Sequence, residues 1–331
     1  KFDRKRIFYF NFFNNSTKTE RKSVYFLTFV EHKSVYVTHF FQTYFVLMMS
    51  SIPFQLNLGG KLVDLTVPAV MAIVNLTPDS FYSLSRLFND KDVLNRVEKA
   101  LEAGASMIDV GAYSTRPSAR HISEQEEMER LRESLKSIRK HFPDTILSVD
   151  TFRAGVARWA VEECGVQLIN DISGGTLDDS MFETVADTGA AYVLTHMRGT
   201  PQTMQQLTHY DNMLSEMLEF FSKRIARLVH LGAKDIIIDP GFGFAKTLDQ
   251  NYELLAKMSW FQQLGLPLMY GISRKSMVYN LLDSNPYEAL NGTTALNMLG
   301  LVNGACILRV HDVKEAVETI KIYEKYKHFQ L

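Results

Sequence analysis

Beyond about residue 50 the chain alternates short apolar runs with longer stretches in which apolar residues return every three or four positions. The runs are Val70–Val74, Met107–Gly111, Ile146–Val149, Gln167–Ile169, Ala191–Thr195, Asp235–Ile238, Pro267–Tyr270 and Ala305–Leu308. Continuous apolarity over four or five residues is what a parallel strand buried on both faces requires. The stretches between them carry helix signals. Ser123-Glu124-Gln125-Glu126 reads as a capping box ahead of Met128, Leu131, Leu135 and Ile138, and Asp312 with Glu315 is expected to open the last helix in the same way. The stretch from Tyr210 to Leu231 ends at Gly232, a helix stop. Pairs such as Gly104-Ala105 and Gly304-Ala305 suit tight helix-to-strand turns.

Eight strand-then-helix units in about 280 residues predict a closed barrel. An open doubly wound sheet would need a G-x-G-x-x-G turn after its first strand, and Asn75-Leu76-Thr77-Pro78 is not one. The expected fold is therefore α/β: a single-domain (β/α)8 TIM barrel over residues 49–331, preceded by an atypical N-terminal extension, residues 1–48.

That extension breaks the pattern. Residues 1–47 contain no Gly, Ala or Pro and carry fourteen Phe or Tyr. They hold eight basic residues against three acidic ones, a net charge of +5, where the rest of the chain has −6. The excess of Lys, Phe, Tyr and Asn matches translated A/T-rich non-coding sequence, and the first methionines are Met48 and Met49. A transit peptide would be richer in Arg and Ser and poorer in aromatics; a basic, aromatic arm for a membrane or partner surface is the other alternative. The expectation is that residues 1–48 are disordered or not part of the native protein. A chain beginning at Met49 should fold and be as active as the full one, because every motif lies downstream. Loss of either property, read by thermal melting and turnover, would reverse that expectation.

Composition narrows the partners. Apolar residues make up 46% and charged residues 22%, the profile of a globular protein with a sizeable core. No apolar run approaches the roughly 18 residues needed to span a bilayer. Nothing after residue 47 forms a long basic stripe. Neither a membrane nor a nucleic acid is an expected partner. Cys164 and Cys306 lie far apart without metal-ligand spacing, which points to a reducing compartment and a cytoplasmic location.

The residues with most chemistry in them follow the strands: Asn75, Ser114-Thr115-Arg116-Pro117, Asp150, Asn170-Asp171, His196-Met197-Arg198, Asp239 to Lys246, Ser273-Arg274-Lys275-Ser276 and Arg309-Val310-His311. A barrel gathers all eight loops on one face, so groups spread over 240 residues converge. Two sub-sites are expected. Arg309 and His311, just before a helix, suit an anion, and Asn75 on the adjacent strand offers an uncharged oxygen to a metal that accompanies a phosphate. Asp150, Asn170, Asp239 and Lys275 suit an aromatic heterocycle, the first three facing its donor-rich edge and Lys275 a ring carbonyl. No Ser or Cys sits beside an obvious base, so covalent catalysis is not indicated.

These segments carry a resemblance. Asn75-Leu76-Thr77-Pro78-Asp79-Ser80-Phe81, Ser114-Thr115-Arg116-Pro117, Ser148-Val149-Asp150-Thr151, Asn170-Asp171-Ile172-Ser173-Gly174, His196-Met197-Arg198-Gly199-Thr200-Pro201, Asp239-Pro240-Gly241-Phe242-Gly243-Phe244, Ser273-Arg274-Lys275-Ser276 and Arg309-Val310-His311-Asp312, in this order, resemble the dihydropteroate synthase family. The resemblance runs from about residue 55 to 325. It implies a transferase of folate biosynthesis and a sulfonamide target, which joins (7,8-dihydropterin-6-yl)methyl diphosphate to 4-aminobenzoate. By that resemblance Asp150, Asn170, Asp239 and Lys275 would hold the pterin, with Met197 packed on its ring. Asn75, Arg309 and His311 would hold the diphosphate with Mg2+, Asn75 being the metal ligand. Thr115, Arg116 and Pro117 would belong to a loop that closes over the site. Phe244 and Ser276 would meet the aromatic amine, Ser276 at a helix N-terminus. A homodimer is also implied.

Two loops depart from the family. Tyr82-Ser83-Leu84-Ser85-Arg86 stands where Ser-Asp-Gly-Gly is common after the Phe. Ala112-Tyr113 stands for the usual Gly-Glu, and Ser118 for the usual Gly. A pterin-binding methyltransferase would share the acidic floor but would not need the anion pocket. A non-catalytic pterin binder would not need to keep Asn75, Arg309 and His311 together.

Overall fold

The computed structural model describes residues 54–76, 90–114 and 120–329. The extension 1–48, the Phe81–Arg86 segment and the loop residues Thr115, Arg116, Pro117 and Ser118 lie outside them. Ten strands are found among the described residues: β1 (Gln55–Leu58), β2 (Lys61–Asp64), β3 (Ala69–Asn75), β4 (Met107–Gly111), β5 (Ile146–Asp150), β6 (Leu168–Asp171), β7 (Ala191–Thr195), β8 (Ile236–Asp239), β9 (Leu268–Tyr270) and β10 (Ala305–Val310). Strands β3 to β10 close into a parallel barrel, β10 pairing with both β9 and β3. Helices alternate with the strands, the longest being Glu124–His141 and Met213–Leu231. This is the (β/α)8 barrel that the apolar runs predict.

Why the runs are apolar on both faces is visible in the packing. Odd-numbered residues of β3 and β4 point inward: Met71 and Met107 join Ile146, Leu168, Val193, Ile237 and Ile307 in a core inside the barrel. The alternate residues Val70, Ala72, Val74, Ile108 and Val110 face the helices in a second core. Each strand therefore serves two apolar layers with a period of two.

One element was not foreseen. Strands β1 and β2 form an antiparallel hairpin, and Leu56 and Leu58 pack on the inner barrel core beside Met71 and Met107. Leu56 and Leu58 are 2% and 0% exposed, and burying such side chains stabilises by about 1.5–3 kcal/mol each. The hairpin also ties to the barrel through Asn57 N–H, which donates to Asp235 at 2.8 Å. The first strand alternates strictly, Gln55-Leu56-Asn57-Leu58, so a signal for it was present, while Lys61–Asp64 does not alternate.

Two capping expectations need correction. Ser123 Oγ accepts from Glu126 N–H at 3.1 Å as expected, but the Glu126 carboxylate binds Arg120 and Arg130 rather than closing the box. Asp312 makes no side-chain cap on the Val313–Lys327 helix. Its carboxylate takes two bonds from the Arg274 guanidinium, at 2.9 and 2.7 Å. A bidentate, charge-assisted pair is stronger than one bond to a helix N–H, so the cap loses. The box that does close is Thr247 with Gln250.

Candidate active site

The period of two that fills the inner core with Met and Ile turns polar at the C-terminal ends of the strands. Asn75, Asp109, Asp150, Asn170, Asp239 and Arg309 are inward positions at or near the C-terminal ends of β3, β4, β5, β6, β8 and β10. Register fixes their neighbours: Asp150 lies opposite Asn170, and Thr195 opposite Asp239. Above them opens a cavity of about 460 Å³ whose wall includes Asn75, Asp150, Asn170, Asp239, Lys275 and Arg309. Five strands and the loop after β9 thus deliver the wall of this cavity.

At its base is a charge network. Arg309 Nε donates to Asp109 Oδ2 at 2.7 Å, and Arg309 Nη2 to Asp150 Oδ2 at 2.7 Å. Asn170 Nδ2 donates to the same Asp109 oxygen at 2.9 Å. The two sub-sites expected from the sequence are therefore not separate, because the guanidinium assigned to the anion is bonded to a carboxylate assigned to the heterocycle. Asp109 was missed: it sits within Met107–Gly111, read as a purely apolar strand. The available signal was periodicity, since Met107, Asp109 and Gly111 share a face, and a carboxylate among inward residues demands a cationic partner. Asp109 Oδ1 remains buried without a partner among the described residues.

These surroundings move the titrations. Burial pushes Asp150 up to about 7, against the pull of Arg309 and with a push from Asp109. Burial also raises Asp239, against Lys275. Burial draws Lys275 down to about 8, with Asp239 opposing. His311 is drawn down to about 4 by burial and then by Arg309, so its imidazole is neutral near pH 7. The Ser273 hydroxyl accepts from the His311 backbone N–H at 3.1 Å and lies 3.1 Å from Nδ1. A hydroxyl that donates to Nδ1 leaves the proton on Nε2, so His311 offers one N–H donor.

The opposite wall is the loop after β8. Asp239 Oδ1 accepts from Gly241 N–H at 2.8 Å. Gly241 has φ 72°, and a Cβ there would stand 2.0 Å from the His196 carbonyl oxygen, so only glycine fits. Lys275 Nζ donates to the Phe242 carbonyl at 2.6 Å and lies 4.3 Å above the Phe244 ring. A cation over an aromatic face binds the two together.

Most expected residues thus meet at one cavity: Asn75, Asp150, Asn170, Asp239, Phe244, Lys275, Ser276, Arg309 and His311 all line it. Met197 does not. It is 1% exposed, packed in a cluster with Tyr113, Phe152, Ile172 and Met204, while Ile172 takes the place on the wall. Ser276 opens a helix of only four residues, Ser276–Tyr279, whose dipole is small for the role expected of it. Thr115, Arg116 and Pro117 lie outside the described residues. Tyr113 lines the cavity; its hydroxyl lies 3.0 Å from His121 Nδ1 and accepts from Gln202 Nε2 at 3.2 Å.

The donor set for a metal is sparse. No group of three or more His, Cys, Asp or Glu suited to a metal occurs among the described residues. Asn75 contributes one amide oxygen at the cavity wall. That fits a magnesium ion whose remaining positions are filled by phosphate oxygens and water, and does not fit a metal held by protein alone.

Comparison with known proteins shows the family. Residues 71–311 match the model of the pterin binding enzyme family. The chain is 40% identical over 267 residues to the dihydropteroate synthase of Escherichia coli (strain K12), a span covering 80% of this chain and 94% of that one. The Yersinia pestis dihydropteroate synthase, solved with a sulfonamide drug complex, superimposes with a TM-score of 0.79 at 40% identity, covering 83% of this chain and 100% of the other. The Xanthomonas albilineans dihydropteroate synthase with 4-aminobenzoic acid gives a TM-score of 0.76 at 32% identity, covering 83% and 99%.

Proposed function

The chain belongs to the dihydropteroate synthase family of pterin-binding enzymes, and from that premise we propose that it joins (7,8-dihydropterin-6-yl)methyl diphosphate to 4-aminobenzoate in folate biosynthesis. The observation that carries this reading is a single cavity lined by Asp150, Asn170, Asp239 and Lys275 together with Asn75, Arg309 and His311. Carboxylates and an amide accept from the amino and ring N–H groups of a pterin, while the Lys275 ammonium meets its carbonyl oxygen. The reaction breaks the bond between the pterin methylene and the diphosphate oxygen, whose electron pair leaves with diphosphate. The amine lone pair forms the new C–N bond and the amine proton passes to solvent. An aromatic amine is a weak nucleophile, so the leaving group departs early and positive charge grows on the methylene. Asp109, Asp150 and Asp239 favour that charge electrostatically, while Arg309 and the His311 N–H favour the departing anion. Mg2+, held in part by Asn75, would neutralise further charge on the diphosphate. Phe244 and Ser276 would receive the amine.

Turnover of both substrates with and without Mg2+, followed by release of diphosphate, tests the reading. Absence of product with folded protein would overturn it. A methyltransferase is disfavoured by the Arg309 and His311 side of the cavity, for which it has no use.

The titrations give a pH dependence. Binding needs Asp150 ionised, so kcat/KM should rise with pH through about 7. It also needs Lys275 protonated, so kcat/KM should fall as pH passes about 8. A bell with its maximum between those limbs is expected, since kcat/KM reports the free enzyme. His311, neutral well above about 4, adds no limb in that range. A profile flat from pH 6 to 9 would refute the assignment.

The reading also includes a homodimer in the cytoplasm. No helix among the described residues is long and apolar enough to cross a membrane, and both cysteines are free thiols. Leu299, Val302, Ile322, Tyr326 and Phe329 are exposed on or just beyond the two C-terminal helices, which pack on each other and so support a self-association face. Sedimentation equilibrium should give twice the chain mass; a monomer at micromolar concentration would exclude it.

A further inference from the structure

The turn Gly241–Ala245 carries Phe244 and is anchored at its base by Asp239, so it serves both the pterin and the amine sub-sites of the reading above, on which this inference rests. Its carbonyls are all engaged. Phe242 O accepts from Lys275, Gly243 O from Gln205 at 3.0 Å, and Ala245 O from the Tyr210 hydroxyl at 2.9 Å. The remaining two, Gly241 O and Phe244 O, accept from one atom, Lys246 Nζ, at 3.0 and 3.1 Å. The third bond of that nitrogen goes to His196 Nδ1 at 3.2 Å. An ammonium has three N–H donors, and here all three are used. Lys246 is 3% exposed, so it makes these bonds away from solvent.

We propose that Lys246 is a positioning residue whose ammonium clamps the Gly241–Phe244 turn onto His196. The clamp sets the Asp239 carboxylate and the Phe244 ring at once and couples the pterin and amine sub-sites.

The backbone explains why a clamp is needed. Gly241, Gly243 and Ala245 have φ of 72°, 79° and 50°. Ala245 is not glycine, and a side chain in the left-handed region costs of order 1–3 kcal/mol unless its surroundings hold it. His196 is a firm stake. Its backbone N–H donates to Asp239 O at 3.0 Å, and its ring packs edge-on against Phe220 at 4.9 Å. Burial holds the imidazole well below its usual pKa, so it is neutral and can accept at Nδ1. Burial draws Lys246 down to about 7 against the pull of Asp239, so most of the ammonium is retained at pH 6.5. Each variant is compared with the wild type at that pH, where Asp150 is partly protonated in both.

The test uses Lys246→Met, which keeps the chain length and removes the donors. Amide hydrogen exchange at 241–245 should accelerate relative to the rest of the barrel. The KM for 4-aminobenzoate should rise, and the affinity for the pterin alcohol fall, each about tenfold, with kcat changed less than about threefold, the effect of losing one to two net hydrogen bonds. Adding Lys246→Met to Phe244→Ala should raise that KM by less than about twofold further, because the two changes act through one turn. If Lys246→Met does not fold by circular dichroism, His196→Phe removes one of the three acceptors and keeps the ring packing. It should give the same pattern at about threefold. A folded variant with unchanged exchange overturns the clamp. Faster exchange with unchanged KM and pterin affinity, or full additivity with Phe244→Ala, overturns the coupling. A wild-type chain that binds neither ligand removes the functional reading instead, while the exchange data still decide whether Lys246 holds the turn.

Discussion

Replacing Arg309 by Ala should weaken the pterin alcohol as well as the diphosphate substrate. Were the two sub-sites independent, as the sequence alone implies, only the diphosphate ligand would suffer. The structure couples them: the guanidinium is bonded to Asp109 and Asp150, both at 2.7 Å and both buried or nearly so. Removing one partner of a buried ion pair leaves an uncompensated charge and costs about 3–5 kcal/mol. Asp150, already raised to about 7 with Arg309 present, would lose the group that holds it down. It would then be protonated at neutral pH and lose an acceptor for the pterin. The expected result at pH 7.5 is a lower melting temperature and at least about a tenfold loss for the alcohol, the equivalent of one pKa unit of lost ionisation. The loss for the diphosphate substrate should be larger still. Calorimetry on both ligands decides. An unchanged alcohol affinity would mean that the Asp109–Arg309–Asp150 network does not reach the pterin; equal losses for both would remove Arg309 from the diphosphate.

Asp239→Asn tests the other wall with less structural damage. The Asp239 Oδ1 bond to Gly241 N–H can be kept by an amide oxygen, so the turn should survive. What is lost is the charge facing Lys275 and the second acceptor, replaced by an N–H₂ that confronts pterin donors. In a desolvated position this should cost about 2–4 kcal/mol of pterin binding with little change in melting temperature. Pterin affinity equal to wild type by calorimetry would make Asp239 a turn anchor only. A large drop in melting temperature would show that the amide cannot hold Gly241.

Much of this was legible in the chain itself. The strands had to be largely apolar on both faces because each one serves the inner core and the helix layer, and that leaves eight apolar runs in the sequence. The residues after those runs had to converge because a parallel barrel puts every strand end on one side. Asn75, Asp150, Asn170, Asp239, Lys275, Arg309 and His311 could therefore be named as one site before any coordinate was known. Asp109 could not be seen as readily, since one carboxylate in an apolar run is visible only when its face is known. Who bonds to whom was decided by the fold. Arg309 is 200 residues from Asp109 and 159 from Asp150, and strand register across a closed barrel, not spacing along the chain, brings them together. The same holds for Asp312, whose local cap lost to Arg274, and for Lys246, whose partner His196 lies fifty residues earlier. Local sequence sets which elements form and which face is polar, because those depend on neighbours along the chain. Charge pairing, desolvation and the resulting titrations depend on neighbours in space, and only the closed barrel supplies those.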